Sequence, residues 1–281
     1  MRIDLHTHSS VSDGTEPPRE VLLSAAAAGL DVVALTDHDT TLGWAEAENA
    51  VSDTGVALVR GIEISTARYG RSVHLLGYLV NPDDPELTAE LEQARDSRLR
   101  RMDRMVERLE ADGIPISIDD VYAQLEEGAT LGRPHLADAL IAAGVVPDRA
   151  VAFRDYLHSD SPYYVSHYAV DPVRAVELVN AAGGVAVIAH PFTRTRGRTT
   201  TEGLIEEMAA AGLAGVEANH RDHGPQEVAL ALQVADRLGL VVTGSSDYHG
   251  DGKVNRLGEN TTDPRVLEQL EERARLPVIR P

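Results

Sequence analysis

The chain has 281 residues, a formal net charge of −19, 43% hydrophobic residues, 4% aromatics and no cysteine. That length suits one large α/β domain or a domain with an insertion, and the acidic balance excludes a groove that holds long duplex nucleic acid by charge. Lack of thiols excludes disulfides and thiolate ligands, so a metal would be held by nitrogen and oxygen, a donor set suited to Mn²⁺, Fe²⁺, Zn²⁺ or Mg²⁺.

The first elements alternate strand and helix. Strands are predicted at Arg2–Leu5 and Asp31–Leu35, and helices at Pro17–Gly29, with Pro near its start and Gly at its end, and at Leu42–Thr54. Val56–Ile64 and Ser72–Leu79 read as two more strands. A long charged helix is then predicted over Glu86–Asp112, with Leu87, Leu91, Leu99, Met102, Met105, Val106 and Leu109 as its apolar face. Its arginines Arg98, Arg100, Arg101 and Arg104 read as a solvated face dense enough to attract RNA. Further helical segments at Ile118–Leu125, His135–Ala143 and Asp148–Leu157 make residues 93–163 an all-helical insertion, a substrate cap on a barrel formed by 1–92 and 164–281. The βα rhythm returns with helices at Pro172–Ala182, Thr201–Ala211, Pro225–Leu238 and Pro264–Ala274 and strands at Val185–Ala189, Gly215–Ala218 and Val241–Ser245. About seven strands in βα alternation imply a parallel sheet or a barrel short of the usual eight. No run reaches the roughly 18 apolar residues of a membrane span, and the N-terminus lacks a signal region; a cytoplasmic enzyme is expected.

Side chains two apart on a strand share a face. His6 and His8 can therefore grip one ion, and Asp247 and His249 can do the same. His38, Glu63 and His190 also fall at the ends of apolar strands, where barrels carry their chemistry. Any one histidine has an ordinary hydrogen-bonded alternative, but packing does not explain the set. Asp13, in Ser12-Asp13-Gly14, joins them or is a turn aspartate. His74, in an apolar strand, needs a bonding partner, which leaves a ligand role or a structural hydrogen bond. Asp37 adjoins His38 on the opposite face and is expected to orient a ligand histidine.

The motifs His6-Thr7-His8, Thr36-Asp37-His38, Ala189-His190-Pro191 and Asp247-Tyr248-His249 resemble the four motifs of the PHP (polymerase and histidinol phosphatase) superfamily, and Gly61-Ile62-Glu63-Ile64-Ser65 and His74-Leu75-Leu76-Gly77 are similar to further signatures of it. The resemblance implies a distorted (β/α)7 barrel with three divalent ions, Mn²⁺ foremost. His6, His8, Glu63 and Asp247 would hold one ion, Glu63 would bridge to a second shared with His74 and His190, and Asp13, His38 and His249 would hold the third. Members with a helical insertion resemble this chain most. They are small phosphoesterases that remove the 3′-phosphate of nucleoside 3′,5′-bisphosphates or trim short RNA from its 5′ end.

A phosphate ester repels nucleophiles. Divalent ions neutralise it and activate water, so hydrolysis without a protein nucleophile is expected. Arg133, in Gly132-Arg133-Pro134-His135, stands at a helix start, where it can clamp an anion or simply lie on the surface. His135 is a weaker candidate for a phosphate contact. Phe192 could stack on a base or pack in the core, and Arg194, Arg196 and Arg198 could reach a second phosphate. Glu217, His220 and His223 cluster after a strand, with His223 the one that could donate a proton or touch phosphate. The expected partner is a small phosphorylated nucleotide or short oligonucleotide, with no membrane and no obligate protein. A histidinol-phosphate-type phosphatase and a non-catalytic, metal-stabilised PHP module are the alternatives.

Overall fold

Continuous runs of Val, Ile, Leu and Ala form strands buried on both faces, because each strand serves two cores at once. The computed structural model describes residues 1–126, 129–193 and 200–281. In chain order the first elements are β1 (Ile3–Thr7), α1 (Pro18–Ala27), β2 (Val32–Leu35), α2 (Trp44–Thr54), β3 (Ala57–Arg68) and β4 (Arg71–Tyr78). Helices α3 (Pro85–Ala111), α4 (Ile118–Tyr122), α5 (Arg133–Ala142) and α6 (Arg149–Ala152) follow, then a π-helical turn at Phe153–Leu157. The remaining elements are α7 (Pro172–Ala181), β5 (Val185–Ala189), α8 (Glu202–Ala210), β6 (Gly215–Asn219), α9 (Pro225–Leu238), β7 (Val241–Gly244) and α10 (Pro264–Arg273).

The seven strands pair in sequential order. Thr7 bridges Tyr248 just beyond β7, and the His8 N–H donates to Tyr248 O at 2.8 Å, which brings the two sheet edges together as a distorted barrel. Val33, Leu35, Ile62, Ile188 and Val216 point outward under the helices. Their neighbours Val32, Ala34, Val59, Val187 and Ala189 point inward, where α10 adds Leu267 and Leu270.

One expectation is corrected. Strand β4 runs antiparallel to both β3 and β5, so the βα alternation breaks there. Residues Tyr69 and Gly70, with φ of 52° and 71°, turn β3 straight into β4 as a two-residue hairpin. That connection is too short for the crossover that a parallel pair needs. The reversal starts β4 at the pole where the other strands end, so that His74 pairs with both Ser65 and Ala189.

Helix α3 starts at Asp84, whose carboxylate accepts the Leu87 N–H at 3.0 Å. Its Leu87 and Leu91 belong to the barrel core. Its Met102, Met105, Val106 and Leu109 belong to a separate cluster with Leu136, Leu140, Leu157 and Val165. The solvated and apolar faces of this helix are not as the sequence predicts. Arg98 and Arg101 are buried, whereas Leu99 is 39% exposed; Arg100 and Arg104 do lie on the surface. On the inward side Arg98 meets Asp39 at the barrel mouth and Arg101 meets His167, so this side is polar rather than hydrocarbon.

The helical segment meets the loops at the strand-end pole. Ser10 Oγ–H donates to Glu126 at 2.7 Å, the Thr130 N–H to Val11 O at 2.8 Å, and Arg98 to Asp39. The chain returns to the barrel where Val170 bridges Thr66 and accepts the Ala67 N–H.

Candidate metal centre

All nine residues predicted as metal ligands converge at one pole. His6 lies in β1 and His8 just past it, while Glu63 is in β3 and His74 in β4. His38, His190, Asp247 and His249 follow β2, β5 and β7. Three residues there have positive φ, Asp39 (53°), His190 (27°) and Asp247 (55°). Each such non-glycine conformation costs on the order of 1–3 kcal/mol, and strain of this kind persists where function holds it.

Four buried atoms, His6 Nε2, His8 Nε2, Glu63 Oε2 and Asp247 Oδ1, approach one another closely. Five of their separations are 3.1 (His6–His8), 3.2 (His6–Glu63), 3.1 (His8–Glu63), 3.5 (His6–Asp247) and 3.4 Å (His8–Asp247). Ligand atoms about 2.0–2.2 Å from a common centre lie about 3–3.5 Å apart, so these are the edges of a coordination shell. Glu63 is central. Its Oε2 also lies 3.3 Å from His38 Nδ1, and its Oε1 lies 2.7 Å from His74 Nδ1 and 3.2 Å from His190 Nε2. Asp13 gathers His249 Nε2 at 3.1 Å, His8 Nδ1 at 3.6 Å and His38 Nε2 at 3.8 Å. His38 thus reaches both the Asp13 group and the Glu63–His74 group.

The donor chemistry fits bound cations. His249 Nδ1–H donates to Asp247 O at 2.8 Å, which leaves Nε2 as a lone pair. Burial, Lys253 and His8 push His249 down to about 4, so that lone pair stays unprotonated at neutral pH. It faces Asp13 Oδ1 at 3.1 Å, a gap that a shared proton or a bound cation fills. His38 Nδ1 is buried without a hydrogen-bond partner among the described residues and lies 3.3 Å from Glu63 Oε2. Burial resists charging His8, but hydrogen bonds to Asp247 and Glu63 outweigh it and raise His8 to about 9. The cluster therefore draws in protons, and a divalent cation could take their place.

Outer partners orient this set. Glu217, fully buried in β6, accepts His6 Nδ1–H at 3.1 Å, the His190 N–H at 2.9 Å and Ser245 Oγ–H at 2.7 Å. The sequence groups it with His220 and His223 after a strand, and the structure places it under His6. The available signal is an acid between Val216 and Ala218, which face the helices, so that alternation turns Glu217 inward. His220 Nδ1 accepts the Asp222 N–H, which puts the ring proton on Nε2, 3.5 Å from Asp247 Oδ2. Lys253 Nζ donates to the same oxygen at 3.1 Å. Asp37 accepts from the Ser9 N–H and the hydroxyls of Ser9 and Ser12, and Ser12 Oγ lies 3.5 Å from His8 Nδ1. It reaches a histidine through serine rather than by direct contact.

The predicted substrate residues divide. Arg133 opens α5 inside the helical segment, donates to Leu157 O at 2.7 Å and lies over the rings of Phe153 and Tyr164. His135 is buried, its Nδ1 accepts the Gly132 N–H, and burial lowers its pKa against the opposing field of Asp13. Phe192 is 3% exposed within the barrel core, so it presents no open face to a base. His223 has both ring nitrogens engaged: Nδ1–H donates to Ala218 O at 2.9 Å and Nε2 accepts the Phe192 N–H at 3.2 Å. It clasps two loops together and offers no ring N–H to a phosphate or leaving group. Arg194, Arg196 and Arg198 lie outside the described residues.

Residues 4–116 match the model of the PHP domain. The chain is 37% identical to a 3′,5′-nucleoside bisphosphate phosphatase of Chromobacterium violaceum over 99% of this chain and 98% of that protein. It is 34% identical to a 5′-3′ exoribonuclease of Haemophilus influenzae over 92% and 94% of the two chains. A crystal structure from Bifidobacterium adolescentis, designated a metal-dependent phosphoesterase, superposes with a TM-score of 0.94 at 42% identity, covering 97% of this chain and 96% of that one. Likeness over nearly the whole length, on one barrel, places the chain in the PHP family: it is a metal-dependent hydrolase of phosphoester bonds.

Proposed function

We propose that the chain removes the 3′-phosphate from nucleoside 3′,5′-bisphosphates and trims short 5′-phosphorylated oligonucleotides by the same chemistry. The printed activities of the two relatives support this substrate class. The observation that carries the metal-dependent part is the convergence of His6 Nε2, His8 Nε2, Glu63 Oε2 and Asp247 Oδ1, with five separations of 3.1–3.5 Å that suit the ligands of one ion. In this reading three ions, with Mn²⁺ first among them, are held by His6, His8, Glu63 and Asp247, by Glu63, His74 and His190, and by Asp13, His38 and His249. Divalent ions in such a site neutralise the ester and acidify water. Glu217 holds the His6 tautomer, Asp37 steadies the Ser9–Ser12 turn beneath His8, and Arg133 and His135 stand on the substrate side. Residues 93–163 form the cap and 1–92 with 164–281 the barrel, a division supported by the separate apolar cluster of the helical segment.

Phosphate release with Mn²⁺ tests this across adenosine 3′,5′-bisphosphate, adenosine monophosphates, short 5′-phosphorylated RNA and histidinol phosphate. The bisphosphate is expected to turn over fastest, and equal turnover of simple monophosphates defeats the substrate assignment. A single turnover in ¹⁸O-water should place one labelled oxygen in the released phosphate.

A further inference from the structure

The chain contains 25 arginines and a single lysine, Lys253. It uses guanidinium for nearly every cation, and it places its one ammonium at the metal pole. Lys253 Nζ–H donates to Asp247 Oδ2 at 3.1 Å and makes no other hydrogen bond among the described residues. The second oxygen, Oδ1, faces His6 Nε2 at 3.5 Å and His8 Nε2 at 3.4 Å. Asp247 is thus divided between an outer cation and the inner cluster of ring nitrogens.

An arginine treats a carboxylate differently. Its planar fork matches both oxygens, whereas an ammonium is a compact point charge. The fork is at work elsewhere in this chain. Arg149 Nε and Nη2 donate to the two oxygens of Asp138 at 2.6 Å each. Arg68 takes both oxygens of Asp171 at 2.5 and 2.8 Å, and Arg265 both of Asp263 at 3.1 and 2.9 Å. Arg98 keeps to Oδ2 of Asp39, where the Ser65 N–H takes Oδ1 at 2.8 Å. Oδ1 of Asp247 turns instead to the ring nitrogens, so a fork at position 253 would close on both oxygens.

The loop that presents Lys253 is fixed from both parts of the molecule. On the barrel side the Asp251 N–H donates to Thr15 Oγ1 at 2.9 Å, and Asn255 Nδ2–H donates to Ser246 O at 2.6 Å. From the helical segment Arg149 Nη1–H donates to Gly252 O at 3.4 Å, and a Cβ at Gly252 would stand 2.3 Å from that nitrogen. The Lys253 side chain is 32% exposed, so a larger head group has room there. A positive charge beside a cation site opposes metal binding. Its presence calls for a second effect, and orientation of the carboxylate is the one this geometry supplies.

We propose that Lys253 is a positioning residue: its ammonium holds Oδ2 of Asp247 and keeps that carboxylate a one-oxygen ligand, with Oδ1 left to the ion. The assignment rests on Asp247 as a metal ligand in the reading above.

The test titrates Mn²⁺ calorimetrically into the metal-free full chain and its variants. Lys253→Arg keeps the charge, yet should weaken binding at least tenfold, within the ~10–100-fold typical of a disturbed outer partner. Lys253→Met removes charge and fork together and should change affinity by less than about fivefold, the worth of a part-exposed pair. Wild-type affinity in Lys253→Arg, or a loss no larger than that of Lys253→Met, overturns the inference. Asp247→Ala separates the two levels. If it binds Mn²⁺ as the wild type does, the ligand reading fails and the inference falls with it. The single lysine gives a second readout should Lys253→Arg misfold. Reductive methylation with ¹³C-formaldehyde labels only Lys253 and the N-terminal amine and keeps their charge. The Lys253 resonance, identified by its absence in Lys253→Met, should shift in Asp247→Ala; an unmoved resonance overturns the pairing.

Discussion

The barrel pole and the neighbouring corner of the helical segment are built in opposite senses. At the pole, the carboxylates of Asp13 and Glu63 gather ring nitrogens of His8, His38 and His249 and hold His8 as a cation. Beside it, Arg101 Nη1–H donates to His167 Nδ1, and Arg101 Nε and His167 Nε2 are buried without a hydrogen-bond partner among the described residues. Between them lies Asp39, which accepts from Arg98 on one side and adjoins His38 on the other. Neither half would be stable as ordinary protein interior, which is why the pair marks a site rather than a core.

The largest expected effect comes from the acceptor side. Glu63→Gln keeps the shape but removes the charge that His6, His8, His38, His74 and His190 surround. Turnover should fall by more than the ~10–100-fold typical of losing an outer partner, with the far-ultraviolet circular dichroism unchanged. A variant that keeps a tenth of wild-type activity would break the comparison.

The next effect tests the Asp39 junction. Removing one partner of a buried pair costs about 3–5 kcal/mol, and Arg98→Met does this to Asp39, which is fully buried. Burial pushes the Asp39 carboxyl up, but Arg98 and His38 hold it below its ordinary range. In the wild type that gain is present above the unfolded value of 3.8 and is lost as pH falls through the lower folded one. Without Arg98, burial dominates, the folded state binds the proton more tightly, and stability falls as pH rises. Urea unfolding should show a larger deficit at pH 7 than at pH 4; the opposite trend would remove Arg98 as the source of the depression.

The smallest effect sharpens the outer layer. Glu217→Gln should weaken Mn²⁺ binding by ~10–100-fold in a calorimetric titration while the chain stays folded. Unchanged affinity would show that His6 needs no partner behind it.

Much of the pole was legible in the sequence because strand alternation ties His6 to His8 and Asp247 to His249 without tertiary information. What alternation could not supply was the direction of β4. The connection after β3 was already too short for a crossover helix, and Tyr69-Gly70 is the turn that resolves it. Arg98 and Arg101 were misread for a different reason. Arginines border the apolar face of this helix, and only the neighbouring Asp39 and His167 reveal which of them turn inward. Phe192 and His223 were attractive by residue type, but their partners are backbone and core, which no local pattern displays.

Helix α3 carries a mechanical consequence. It passes from one apolar cluster to the other with no interior glycine or proline, and the returning chain is pinned by the Thr66–Val170 bridge. Hinges form where a few loop residues absorb backbone rotation. The forward crossing is one unbroken helix, whereas the return runs through residues 164–169, which carry no helix or strand, before the bridge at Val170. The helical segment is thus held like a beam set into one wall and tethered at the other, so rotation against the barrel would fall on the returning strand of chain and would bend α3.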